Sequence, residues 1–192
     1  MVTVICIIGK TSTGKDTIAK YLESKYGVSP VVSYTTRPAR AGEIDGKEHF
    51  FISEDTMKRI RDEEDVIAYT KFNDTEYCAT LGSLGTDGVK SYIIDPVGYD
   101  YLVKNFSTKL NIISLYIKAS NKVIIDRALK RGDSTEAVLK RLHNESKMFD
   151  AFEKSGVFDY LINSEGTRQD VTAQVDKVMH DSEKLYGRRL SK

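Results

Sequence analysis

Gly9-Lys10-Thr11-Ser12-Thr13-Gly14-Lys15-Asp16 follows directly on an apolar run, Val2-Thr3-Val4-Ile5-Cys6-Ile7-Ile8. Two glycines five apart and then a lysine form the spacing of a phosphate loop. Gly9 and Gly14 let the backbone curl so that the N–H groups of Thr11, Ser12 and Thr13 point inward at an anion. Lys15 adds a mobile positive charge for β- and γ-phosphates. Asp16 stands where this spacing usually carries a hydroxyl. The run Val2 to Ile8 reads as a strand buried on both faces, as in a parallel sheet. From Thr17 to Glu23 the pattern is that of an amphipathic helix ending near Gly27, with its N-terminus aimed at the same anion. Strand, glycine loop and helix in that order separate a phosphate cradle from an ordinary glycine turn.

Working outward, the chain has 192 residues, enough for one α/β domain with small inserts. Net charge is +1 with 30% charged residues, which lacks the broad positive field of a nucleic-acid binder. No apolar stretch is long enough to cross a bilayer. The N-terminus enters a strand with no basic segment before it, so no secretion signal is expected. Cys6 and Cys78 have neither metal-ligand nor disulfide spacing, which suits a reducing cytoplasm.

Further strands are predicted at Val31 to Tyr34, Ser91 to Ile94, Asn111 to Ile117 and Phe158 to Ile162. Helices are predicted at Val97 to Phe106, Lys122 to Lys130, Thr135 to Lys154 and Thr167 to Tyr186. This alternation argues a doubly wound parallel sheet flanked by helices, with ligands at the carboxyl ends of the strands. Two regions break the rhythm. Residues 35–80 are polar, with short alternating segments, and read as a small mixed-β insert. Residues 131–141 are strongly charged and join two helices.

Ser33-Tyr34-Thr35-Thr36-Arg37-Pro38-Ala39-Arg40 follows the second strand. Arginine forks grip phosphate with two prongs, and Pro38 stiffens the backbone between them. A solvated basic loop is the alternative reading of the same residues. At this point the sequence resembles the guanylate kinase family. Gly9 to Lys15 carries part of the resemblance. Ser33-x-Thr35-Thr36-Arg37-x-x-Arg40-x-Gly42-Glu43-x-x-Gly46-x-x-x-Phe50 carries the specific part. Ile94-Asp95-x-x-Gly98, Arg127-x-x-x-Arg131-Gly132 and Lys140-Arg141-Leu142 extend it over nearly the whole chain.

The resemblance implies one domain, with its core at 1–34, 81–126 and 142–192, an acceptor-binding insert at 35–80, and a helical lid at about 127–141. It implies ATP-dependent phosphorylation of a nucleoside monophosphate, with GMP or dGMP the leading acceptor. Gly9, Thr11, Ser12, Thr13, Gly14, Lys15, Asp16, Thr17, Arg127 and Asn163 would meet ATP. Arg37, Arg40, His49, Tyr77 and Thr80 would line the acceptor phosphate site, and Ser33 and Asp95 would read the base. Lys15, Arg37, Arg131 and Arg141 would carry the transfer. Mg²⁺ is implied by the chemistry, with Asp16 as the candidate ligand; the alternative is that Asp16 only favours the helix N-terminus. Small-molecule nucleotides are the expected partners, with neither nucleic acid nor membrane, in a monomer or homodimer.

The sequence departs from the family pattern in five places. Asp16 replaces the loop hydroxyl. Ile93 stands where an acid is common, two residues before Asp95. Ala68 falls at the guanine-reading glutamate and His49 at a phosphate-binding tyrosine, and Tyr77-Cys78-Ala79-Thr80 shifts a hydroxyl by one. A kinase for another phosphorylated acceptor (a different deoxynucleotide or ribose 1,5-bisphosphate) and a non-catalytic binding module are the competing readings.

Overall fold

A computed structural model describes residues 1–186 apart from Ala41 and Asn73; the expected core segment 142–192 therefore extends, at 187–192, outside the described residues. Strand β1 (Thr3–Ile8) lies at the centre of a five-stranded parallel sheet. Its neighbours are β7 (Val89–Ile93) and β8 (Asn111–Lys118), with β2 (Ser29–Pro30) and β9 (Tyr160–Asn163) at the edges, in the order β2-β7-β1-β8-β9.

All six residues of β1 are buried, and the two-residue period of a strand sends them to opposite layers. Val4, Cys6 and Ile8 join Tyr92, Leu102 and Phe152 on one side. Ile5 and Ile7 join Ile18, Leu22, Val175 and Ile162 on the other. Helices α1 (Lys15–Tyr26) and α6 (Arg168–Tyr186) cover the second layer, and α3 (Pro96–Phe106) and α5 (Thr135–Ser155) the first. Each fully buried aliphatic side chain here contributes about 1.5–3 kcal/mol. The doubly wound fold read from the sequence is the fold observed. Helix α4 (Asn121–Lys130) meets α5 through a short turn, and Ile124, Ala128, Val138 and Leu142 form a small core of their own.

One predicted element is corrected. Val31 to Tyr34 is not a single strand of the main sheet. Ser29 and Pro30 pair with β7, and after Val31 the chain leaves that sheet. Ser33–Thr35 (β3) then opens a second sheet, of order β4-β3-β6-β5, with β4 (His49–Phe51), β5 (Val66–Phe72) and β6 (Thr75–Thr80). β3 runs parallel to β4 and antiparallel to β6, so the insert is mixed, as its composition suggested. It also holds a helix the sequence reading lacked, α2 (Glu54–Glu63), whose N-cap Ser53 accepts from the Thr56 N–H. The insert docks on the main core where α3 passes under β5: Ala68, Ile67 and Leu84 share a cluster with Tyr99 and Leu102. Between β6 and β7 only a short 3-10 turn, Leu81–Leu84, remains.

Candidate active site

The phosphate loop is built by its own side chains. Thr13 Oγ1 donates to the Lys10 carbonyl at 2.8 Å, and Lys15 Nζ donates to the carbonyls of Gly9 and Lys10, each at 2.7 Å. Gly14 sits at φ 98° and Ser12 at φ 55°, the left-handed conformations that curl the loop. Burial pulls the Lys15 pKa down, and the carboxylates of Glu145 and Asp16 oppose that shift. Asp16 is exposed in the first turn of α1, next to Lys15.

A cavity of about 350 Å³ opens between this loop and the insert. Gly9, Thr11 and Lys15 line one side; Ser33, Arg37, Arg40, His49, Tyr77 and Asp95 line the other. Residues expected from sequence to serve donor and acceptor thus share one space. Arg37 Nη1 and Nη2 donate to Glu43 Oε2 and Oε1 at 2.6 and 2.7 Å, and Glu43 also accepts from the Arg40 N–H at 2.7 Å. The guanidinium holds the Glu43 pKa down to about 2. Arg37 Nε is buried with no hydrogen-bond partner among the described residues. His49 Nδ1 lies 2.9 Å from Ser33 Oγ, and its ring meets Tyr77 edge to face. Burial lowers the His49 pKa, with the Arg37 charge acting in the same direction, so the imidazole is neutral at pH 7. Asp95 caps α3: its Oδ1 accepts from the N–H groups of Val97 and Gly98, and its Oδ2 accepts from Thr70 Oγ1 at 2.5 Å. Thr80 is buried and caps the 3-10 turn instead of lining the cavity.

A second cavity, of about 320 Å³, lies on the other side of the loop, lined by Gly14, Thr17, Arg127, Ser164 and the start of α6. Arg127 is committed there to structure, donating to Ser164 O at 2.6 Å and Ser164 Oγ at 2.9 Å. Asn163 stands one residue before this rim, and its Oδ1 accepts from the Glu165 N–H. Arg131 follows α4, and its Nη2 reaches Ser12 Oγ at 3.0 Å. Arg131 and Arg141 both pair with Asp133, at 2.5 and 3.3 Å, and hold that carboxyl below its usual range.

A family profile described as guanylate kinase matches residues 1–182 of the chain. The chain belongs to the guanylate kinase family. It is 32% identical over 168 residues to the guanylate kinase of Helicobacter pylori, covering 84% of this chain and 79% of that one. To the guanylate kinase of Syntrophus aciditrophicus it is 31% identical over 194 residues, covering 98% and 90%. The crystal structure of guanylate kinase from Anaplasma phagocytophilum shares the fold, with TM-score 0.66 at 19% identity over 99% of this chain and 89% of that one. This guanylate kinase family member is accordingly a phosphotransferase that takes ATP as phosphoryl donor and binds nucleotide substrates.

Among the described residues no helix is long and apolar enough to cross a membrane, and no three His, Cys, Asp or Glu side chains gather as a metal cage. Magnesium in phosphoryl-transfer sites needs no such cage, since one or two carboxylates complete a shell of phosphate and water. Asp16, exposed beside the loop in the first turn of α1, fits that requirement.

Three site features escaped the sequence reading. Glu43 was visible as part of a motif, but not as the carboxylate that orients Arg37. Thr70 reaches Asp95 across 25 positions, with no local signal. Glu145, on α5, accepts from the Thr11 N–H at 2.7 Å across 134 positions. Glu76, on β6 of the insert, accepts from the Tyr69 hydroxyl at 2.8 Å.

Proposed function

We propose that this protein transfers the γ-phosphoryl group of ATP to GMP or dGMP in the cavity between loop and insert. The observation that carries the reading is that a phosphate loop and the Arg37, Arg40 and Tyr77 cluster face one another across one space. Residues 35–80 are read as the acceptor-binding insert and about 127–141 as the lid. A cytoplasmic location, where ATP and nucleoside monophosphates meet, belongs to the same reading.

Phosphoryl transfer demands position and charge neutralisation more than covalent chemistry. The acceptor phosphate is already an anion at neutral pH, so the site needs no strong base. Arg37, held square by Glu43, and Arg40 orient that phosphate. The loop N–H groups and Lys15 hold the donor. Arg131 and Arg141, gathered on Asp133 beside Ser12, stand ready to take up negative charge on the group in flight. Asp95, with Ser33, presents acceptors and a hydroxyl to the base edge. Asp16 would hold Mg²⁺, which would supply positive charge to neutralise the donor phosphates. Closure of lid and insert keeps water from the γ-phosphate.

A coupled assay over GMP, dGMP, AMP, dTMP and ribose 1,5-bisphosphate tests the reading. GMP and dGMP should lead. Turnover confined to another acceptor would move the assignment to a sister activity, and absence of ATP binding would favour a non-catalytic module.

A further inference from the structure

Glu145 sits where a donor phosphate oxygen is expected. Its Oε2 accepts from the Thr11 N–H at 2.7 Å, and Thr11 belongs to the backbone cradle between Gly9 and Gly14. The same carboxylate acts on the Lys15 ammonium, and Glu145, Thr11 and Lys15 line the same cavity. One backbone donor of the loop, the Thr11 N–H, is therefore turned toward an anion supplied by the chain itself. A plain structural tie between α5 and the loop looks different and is present as well: Lys10 Nζ meets Asp150 at 2.7 Å, with the carboxylate half exposed to solvent. Glu145 lies inside the cavity, on the path of the phosphates. It is also one helical turn from Arg141, so the two opposite charges share a face of α5.

We propose that Glu145 is a displaceable stand-in for the donor phosphate, keeping the empty loop in its anion-binding shape and leaving it when ATP enters. This deepens the ATP-loop reading and rests on it. An internal carboxylate and a γ-phosphate cannot both occupy one cradle without like-charge repulsion, so ATP binds in competition with Glu145. Its departure frees the α5 face that carries Arg141 as negative charge arrives beside it. Glu145 is thus a positioning residue that sets donor affinity through the resting state, without touching the reacting atoms.

Isothermal calorimetry with ATP, and separately with inorganic tripolyphosphate, on wild type, Glu145→Gln and Glu145→Asp tests this. The glutamine variant keeps shape and loses charge; the aspartate variant keeps charge and shortens its reach to Thr11. Both should bind ATP and tripolyphosphate tighter than wild type, glutamine on the order of tenfold, with GMP affinity unchanged. Without ligand the glutamine variant should melt below wild type, and its ATP-induced rise in Tm should be the larger of the two. Equal or weaker ATP binding by both variants, while wild type binds, overturns the stand-in role alone. Failure of wild type and variants alike to bind ATP removes the kinase reading and the proposal together.

Discussion

Both prongs of the Arg37 guanidinium end on the Glu43 carboxylate, at 2.6 and 2.7 Å. The fork is therefore aimed in advance by the chain itself. A long side chain fixed in advance loses less entropy when phosphate binds.

Replacing Glu43 by Gln should raise KM for GMP by roughly ten- to a hundredfold, the effect of weakening one charge-assisted hydrogen bond. The pH dependence follows from the depressed pKa. Folding lowers it from 4.5 to about 2, so the stabilisation is full above pH about 4.5 and disappears as the pH falls toward 2. Wild type should melt above Glu43→Gln at pH 7, and the gap should close on acidification below about pH 4.

Lys15 ties the loop through the Gly9 and Lys10 carbonyls and is the cation proposed for the donor phosphates. Lys15→Met should lower kcat by on the order of 10²–10³-fold while circular dichroism stays that of wild type. Retained activity would remove Lys15 from the transfer.

Gly9 is where a side chain has no room. A Cβ there would stand 2.6 Å from the Ile117 carbonyl oxygen and 2.9 Å from Thr13 Oγ1. Backbone on the neighbouring strand cannot give way cheaply, so Gly9→Ala should cost about 1–3 kcal/mol, read as a lowered urea midpoint, and should weaken ATP binding as well.

Asp95 caps α3 and accepts from Thr70. Asparagine also caps helices well, so Asp95→Asn should keep its melting temperature within a few degrees. The amide presents a donor where the base edge has donors of its own, so GMP affinity should fall by about 1–3 kcal/mol. Equal GMP binding in the variant would remove Asp95 from base reading.

Much of this was legible in the chain before folding, and the exceptions share a cause. The strand–loop–helix from Thr3 to Tyr26 was readable because its signals are local: an apolar run, two glycines and an amphipathic repeat. Val31 to Tyr34 misled because an apolar run says that a segment is buried, not which sheet buries it. Helix α2 was missed because only Met57 and Ile60 of its ten residues are buried; its Ser53 cap and the acids Glu54 and Asp55 were the available signal. The hydrogen bonds Thr70–Asp95 and Thr11–Glu145 exist only after distant segments meet, and no spacing rule reaches across them.

The central claim is that two anionic nucleotides meet in one cavity and exchange a phosphoryl group. Chromatographic quantification of ADP and GDP formed from ATP and GMP tests it most directly. ADP and GDP should appear in equal amounts, and ADP should nearly vanish when GMP is left out. ADP released at the same rate with and without GMP, and no GDP, would contradict it.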